Sequence, residues 1–216
     1  MTFRNEGVVM NAKTVKQGKI ITAATKLFTE LGFEQTSMQK IADEAQIGVA
    51  TLFRYFPKKE LLIVEVIESV IEEMVPHFEE IDQSKLTGLQ KMDAILEAYI
   101  DYFTTAKRDA VILLESFDYY AAFHTMEQPL MEQIEASYTK IGRTLNHAIQ
   151  LGFEDGTIGF SPEKAINAEI IMNLFGTAIK KHSFNILLEN GIFPIPDKVQ
   201  LSLVKSLILK YLSKNE

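Results

Sequence analysis

The sequence predicts an all-α protein, with a small N-terminal three-helix unit followed by a larger helical body. Three observations predict it. Apolar residues recur at three- and four-residue spacing along most of the 216 residues. Gly, Pro and small polar residues separate these stripes where helices start and stop. No segment shows the alternation of a half-buried strand, and there is no internal repeat or low-complexity tract.

The first helix carries Ile20, Ala23, Ala24, Leu27, Phe28 and Leu31 on one stripe. Gly32 follows it, where a helix end favours a residue tolerant of positive φ. A second helix starts at Thr36 or Ser37, with Thr36 and Gln39 able to form a capping box. Its inner stripe is Met38, Ile41, Ala42 and Ala45. The turn Gln46-Ile47-Gly48 leads into a third helix, Val49 to Phe56, which Pro57 stops. Two short helices joined by so short a turn make a helix-turn-helix.

In the third helix Leu52 and Phe56 point inward with Ile47. That leaves Val49, Ala50, Thr51, Phe53, Arg54 and Tyr55 for the other faces. Small residues let a helix enter a major groove. Thr51 and Arg54 can hydrogen-bond base edges or phosphates, and Phe53 and Tyr55 can pack on sugars and thymine methyls.

The run resembles the DNA-binding domain of the tetracycline-repressor (TetR) family. The matching pieces are A-A-x-x-L-F-x-x-x-G-F at Ala23 to Phe33, T-S-M-x-x-I-A at Thr36 to Ala42, and T-L-F-R-Y-F-P-x-K-E-x-L at Thr51 to Leu62. They cover about the first quarter of the chain. The resemblance implies DNA contacts from Ser37, Gln39, Gly48, Val49, Ala50, Thr51, Phe53, Arg54, Tyr55 and Lys59, with Lys59 on a phosphate. It also implies a dimer on a palindromic operator and an inducer pocket in the larger domain. Many members have Gly where Gln46 stands, so a turn needing positive φ would carry mild strain here. Many have Ser where Gly48 stands, and Gly is an acceptable N-cap.

The composition sets bounds on partners and chemistry. Cysteine is absent, which excludes disulfides, thiolate nucleophiles and cysteine-ligated zinc. No apolar run reaches membrane-spanning length, and the N-terminus lacks the apolar core of a signal peptide, so a cytoplasmic protein without membrane partners is expected. Residues 1–9 carry no pattern, which leaves Met10 as an alternative first residue. The net charge is −7, but it is unevenly spread. Residues 1–60 hold nine Lys/Arg against six Asp/Glu, and the remainder holds thirteen against twenty-three. Phosphate binding needs a local basic face rather than a basic protein.

Residues 1–15 read as a loose arm, 16–60 as the helix-turn-helix domain and 61–216 as the ligand-binding and dimerisation domain. A fourth helix, 58–75, connects the two, and Pro76 ends or kinks it. Residues 81–87 read as a loop. Helices are then expected over 89–104, 110–125 and 128–151, with a break at Lys107-Arg108-Asp109. Ser161-Pro162-Glu163 is a strong helix start for 162–189, since it combines an N-cap, an N1 proline and an acid at the positive dipole end. The last helix, 197–212, is apolar nearly all round and needs burial on more than one face.

The histidines, His77, His124, His147 and His182, are scattered, with no metal-ligand spacing. Phosphate loops and nucleophile elbows are also missing, so no cofactor, metal or enzymatic activity is expected. The segment 117–124 is more aromatic than one core stripe needs. Phe103, Phe117, Tyr120, Phe123, His124, Tyr138 and Phe175 are candidates to line an apolar pocket between helices, with Glu115, Asp118, Tyr119 and His124 as available polar groups. Ile171, Phe175, Leu203 and Leu207 are candidates for a two-fold helical interface. Together these features favour a ligand-responsive DNA-binding regulator acting as a homodimer. The rival reading is an all-α small-molecule-binding or scaffold protein whose helix-turn-helix is only structural.

Overall fold

The computed structural model describes residues 12–106, 108–159, 168–187 and 198–214. Ten α-helices lie among them, and the chain is all-α. Contacts divide it into two compact units, and the division falls between Val66 and Ile67, inside α4 (Lys59–Glu72).

The first unit begins with α1 (Ala12–Gln35), which Gly32 breaks at φ 77°. Ile20, Ala24, Leu27 and Phe28 are buried, as the stripe requires, whereas Leu31, expected on the same stripe, is exposed; Phe33 packs edge-on against Phe28 at 4.9 Å. Helix α2 (Met38–Glu44) is capped by Ser37, whose hydroxyl accepts from the Lys40 N–H at 3.2 Å. The expected Thr36–Gln39 capping box does not form. Thr36 is buried, and its hydroxyl donates to the carbonyls of Gly32 (2.8 Å) and Leu27 (3.2 Å), closing the break in α1. Helix α3 (Val49–Tyr55) follows, with Gly48 as its N-cap in an extended conformation.

The second unit departs from the sequence expectation at its start. Pro76 opens a helix instead of ending one. Helix α4 stops at Glu72, and α5 (Val75–Gln83) carries Pro76 in its first turn, where a missing N–H costs nothing. Residues 81–83, expected in a loop, belong to α5. Helix α6 (Gly88–Asp101) has a complete capping box between Thr87 and Gln90 and runs into a π-helical segment, Tyr102–Ala106. Helices α7 (Arg108–Phe123) and α8 (Gln128–Glu154) follow, then α9 (Ala168–Leu187) and α10 (Val199–Leu212). Arg108 and Asp109, expected in a break, already belong to α7. The Ser161-Pro162-Glu163 start lies outside the described residues, as does the expected arm up to residue 11, while residues 12–15, also expected in the arm, belong to α1.

Helix α6 is the centre of this unit, packed on α8 and α10, with Met92, Ile95, Leu96 and Ile100 fully buried. A Cβ on Gly88 would lie 2.0 Å from the Gly152 nitrogen, so α6 and α8 cross in backbone contact there. The Asp155 carboxylate then accepts from the Gly88 N–H at 2.7 Å, next to the positive end of α6. Lys205 of α10 bridges Asp93 (2.8 Å) and Glu97 (2.6 Å) of α6.

Candidate nucleic-acid interface and a cavity in the helical body

The turn between α2 and α3 sets the reading geometry. The Gln46 N–H donates to Asp43 O at 3.1 Å and the Ile47 N–H to Ala42 O at 2.9 Å. This pair of bonds is a Schellman motif with Gln46 at C′, and Gln46 takes the positive φ of 56° that the motif demands. Gly48 then accepts from the N–H groups of Thr51 (2.8 Å) and Leu52 (3.1 Å), and α3 starts without a side-chain cap.

Burial sorts the residues of α3. Leu52 and Phe56 are buried, while Ile47 is half-buried. Ala50, Phe53 and Arg54 are exposed, and Val49, Thr51 and Tyr55 are partly so. The Arg54 guanidinium lies 5.7 Å from the Tyr55 ring centroid, a cation–π contact that orients it. On α2, Ser37 and Gln39 are exposed, and Gln39 donates to Asp43 at 2.8 Å, one turn along. Lys59 is already engaged. Its ammonium donates to the carbonyls of Phe33 (2.8 Å) and Thr36 (3.4 Å). One compact unit thus holds all ten candidate residues, with the cation, hydroxyl, amide and aromatic groups that phosphate and base-edge contacts require.

The second unit contains a cavity of about 140 Å³. Its lining includes Met74, Tyr99, Phe103, Leu114, Ile141 and Ile179, together with Glu115, Asp118 and Tyr138. Of the seven predicted lining residues, only Phe103 and Tyr138 reach it. Phe117 and Tyr120 are buried in the core instead, and Phe175 is fully buried, with its ring 6.5 Å from that of Tyr99. Phe123 is 81% exposed at the end of α7, and His124 stacks on Tyr120 at 4.1 Å. The α7 residues among them lie off this cavity because α7 shows it a different face, the one carrying Leu114, Glu115 and Asp118.

Electrostatics distinguish the two tyrosines of the cavity. Burial pushes the Tyr99 phenol well above its ordinary range. Tyr138 is raised by desolvation of its hydroxyl end and then by the negative charges of Asp118 and Glu115, although 45% of the residue's surface is exposed. Both phenols are therefore neutral hydrogen-bonding groups at neutral pH.

The predicted interface residues also separate. Ile171 and Phe175 are buried within the protomer, which removes them from any surface. Among the described residues of α9, the exposed large apolar ones are Ile170 and Leu174, one position earlier. Leu203 and Leu207 are 58% and 59% exposed, in line with Val199 and Tyr211 at four-residue spacing on α10.

This arrangement defines a helix-turn-helix protein with a separate helical body. Residues 20–66 match the model of the bacterial regulatory proteins of the tetR family. An HTH-type transcriptional regulator of Staphylococcus aureus (strain USA300) is 32% identical over 108 residues, which are 50% of this chain and 56% of that protein. The chain thus spans little more than half the length of the curated relatives it matches. The fold extends further. The transcriptional regulator FadR from Bacillus subtilis, solved in complex with stearoyl-CoA, superimposes with a TM-score of 0.67 at 16% identity, over 92% of this chain and 99% of that one. The ketosteroid transcriptional regulator KstR2 of Mycobacterium tuberculosis gives 0.60 at 17% identity, over 95% and 97%.

Sequence reasoning did not assign Leu114, Met172, Gly176 or Ile179 to the cavity, and it left Glu115 and Asp118 undirected. One signal was available. Gly176 sits in mid-helix, where glycine costs helix stability, and a Cβ there would meet nothing within 4 Å.

Proposed function

We propose that this chain is a ligand-responsive, dimeric DNA-binding transcription regulator, a repressor that a small apolar or aromatic molecule releases from a palindromic operator. The observation that carries the reading is the α2–α3 pair. A helix-turn-helix presents Thr51, Phe53, Arg54 and Tyr55 beside Ala50, within the segment that matches the tetR-family model. The family and the relatives' description as transcriptional regulators support DNA as the partner.

The dimer would form through α9 and α10. Ile170 and Leu174 on one, with Val199, Leu203, Leu207 and Tyr211 on the other, are exposed apolar residues. An isologous four-helix interface covers such a face and sets two reading heads on two half-sites, about 34 Å or a multiple apart.

Release would work through α4. Met74 lines the cavity and lies two residues beyond the end of α4, the helix within which the two units divide. A ligand that favours one placement of this segment shifts head spacing without touching DNA. The shift is limited by its differential affinity for the two states, about 1–3 kcal/mol in typical allostery. FadR from Bacillus subtilis, a neighbour of the same fold, was solved in complex with stearoyl-CoA. The test is binding to the DNA upstream of the gene, followed by fluorescence anisotropy against a compound library. Saturable, salt-dependent binding that a compound reverses supports the proposal. Binding that no ligand of the cavity alters removes the ligand-responsive half of it.

A further inference from the structure

We infer that Asp43 is a positioning residue that commits Gln39 to adenine rather than guanine on the DNA. This rests on the DNA-binding reading above and deepens it, by naming the base that one side chain of the reading head takes.

The two residues share a flank of α2. Ile41, Ala42 and Ala45 are buried and mark the inner face of the helix. Helical spacing then places Lys40 and Glu44 on one side of that face, and Gln39 and Asp43 on the other. The first side is held. The Lys40 ammonium donates to the Gln35 carbonyl at 3.0 Å, and Glu44 pairs with Lys26 of α1 at 2.7 Å. Gln39 and Asp43 therefore lie on the flank turned away from α1, and both are exposed. A duplex seated on α3, the other helix packed on α2, would meet this flank.

The contact between them fixes the direction of the Gln39 amide. Gln39 Nε2 donates to Asp43 Oδ1 at 2.8 Å. A carboxylate only accepts, so the amide nitrogen and not the oxygen must face Asp43. An unrestrained glutamine can meet a purine in two ways. Its carbonyl oxygen and one N–H match the N6 amino group and N7 of adenine. Its two N–H groups match the O6 and N7 acceptors of guanine. Asp43 takes one of the two hydrogens, and whichever it takes, the two-donor mode is closed. The oxygen that remains needs a donor, which adenine N6 supplies and guanine O6 does not. In water the restraint is weak, because an exposed pair four residues apart on a helix stabilises little. On the duplex it strengthens. Water is excluded there, and turning the amide to guanine would leave the carboxylate without its donor.

The experiment selects bound sequences from a randomised duplex library with the full chain and counts bases at each position. Gln39→Ala identifies the position that Gln39 reads, as the one where preference disappears. Wild type should favour adenine over guanine there by roughly tenfold or more. Asp43→Ala should reduce that ratio to roughly threefold or less and leave the other positions unchanged. Asp43→Lys, a donor in place of an acceptor, should turn the amide round and bring guanine at least level with adenine. Both residues are exposed, so these variants should keep the wild-type circular dichroism spectrum. A plain helix-stabilising pair would shift the melting temperature and move no base preference. An adenine ratio that persists in both Asp43 variants would overturn the inference. So would a wild-type preference for guanine at that position, or a Gln39→Ala variant that changes no position. The two readings fail separately. A selected consensus that is indifferent to Asp43 sinks the positioning role alone. A wild-type chain that enriches no sequence sinks specific DNA recognition, and this inference with it.

Discussion

The Lys59 ammonium donates to the Phe33 carbonyl at 2.8 Å, tying the first turn of α4 to the chain just beyond the Gly32 break. A residue expected only to meet phosphate therefore also holds the helix-turn-helix unit together. Lys59→Ala should lower stability by about 1 kcal/mol, because a partly buried charged hydrogen bond is lost. It should also reduce the salt slope of DNA binding by about one unit. Thermal melts and salt titrations of the same variant separate the two effects.

Gln46 holds φ 56° at the C′ position of α2. A side chain there is strained, and glycine relieves the strain at some cost in unfolded-state entropy. Gln46→Gly should stabilise the protein by about 0.5–1 kcal/mol, read as a higher denaturation midpoint with an unchanged m-value.

The exposed stripe Val199, Leu203, Leu207 and Tyr211 makes a prediction about assembly. Leu203→Glu or Leu207→Glu would bury an unpaired charge in a dimer but none in a monomer. Dimer affinity should fall by about 3 kcal/mol, more than a hundredfold. Sedimentation equilibrium measures it, and far-UV circular dichroism should remain that of wild type. Ile170→Glu should act in the same way.

Asp155 gives the body a pH dependence. Desolvation acts to raise its pKa, but hydrogen bonds from the Thr157 hydroxyl and from the Gly88 and Thr157 N–H groups outweigh it and hold the carboxyl below its usual range. The unfolded chain then binds the proton more readily than the folded one. This contribution is complete above the ordinary Asp range, near pH 4, and is lost as pH falls through the lower folded value. Asp155→Asn should flatten the acid limb of a stability–pH curve relative to wild type.

The helix-turn-helix was legible because local rules fix it. A stripe, a glycine at positive φ and a proline stop are all encoded within a few residues of where they act. Thr36 shows the limit. Its hydroxyl suited a cap equally well, and only the break at Gly32 placed acceptors nearer to it than the N–H groups of α2. Pro76 was ambiguous in the same way, since proline serves a helix start as readily as an end. The cavity was the least legible feature. Which face of α7 turns inward depends on packing between helices distant in sequence, and aromatic density alone pointed to Phe123, which is exposed. On α9 a one-residue difference in register separates buried Ile171 and Phe175 from exposed Ile170 and Leu174.

The most direct test of DNA recognition by α2 and α3 is the affinity for the DNA upstream of the gene, measured by anisotropy over a range of salt concentrations. Wild type and Arg54→Ala should be compared on that DNA and on scrambled sequence. The account predicts tight binding of wild type to the upstream DNA, with log affinity falling linearly against log salt. Arg54→Ala should lose about 1–3 kcal/mol on that DNA and little on scrambled sequence. Equal affinity of wild type for both sequences, or an Arg54→Ala variant indistinguishable from wild type on the upstream DNA, would contradict it.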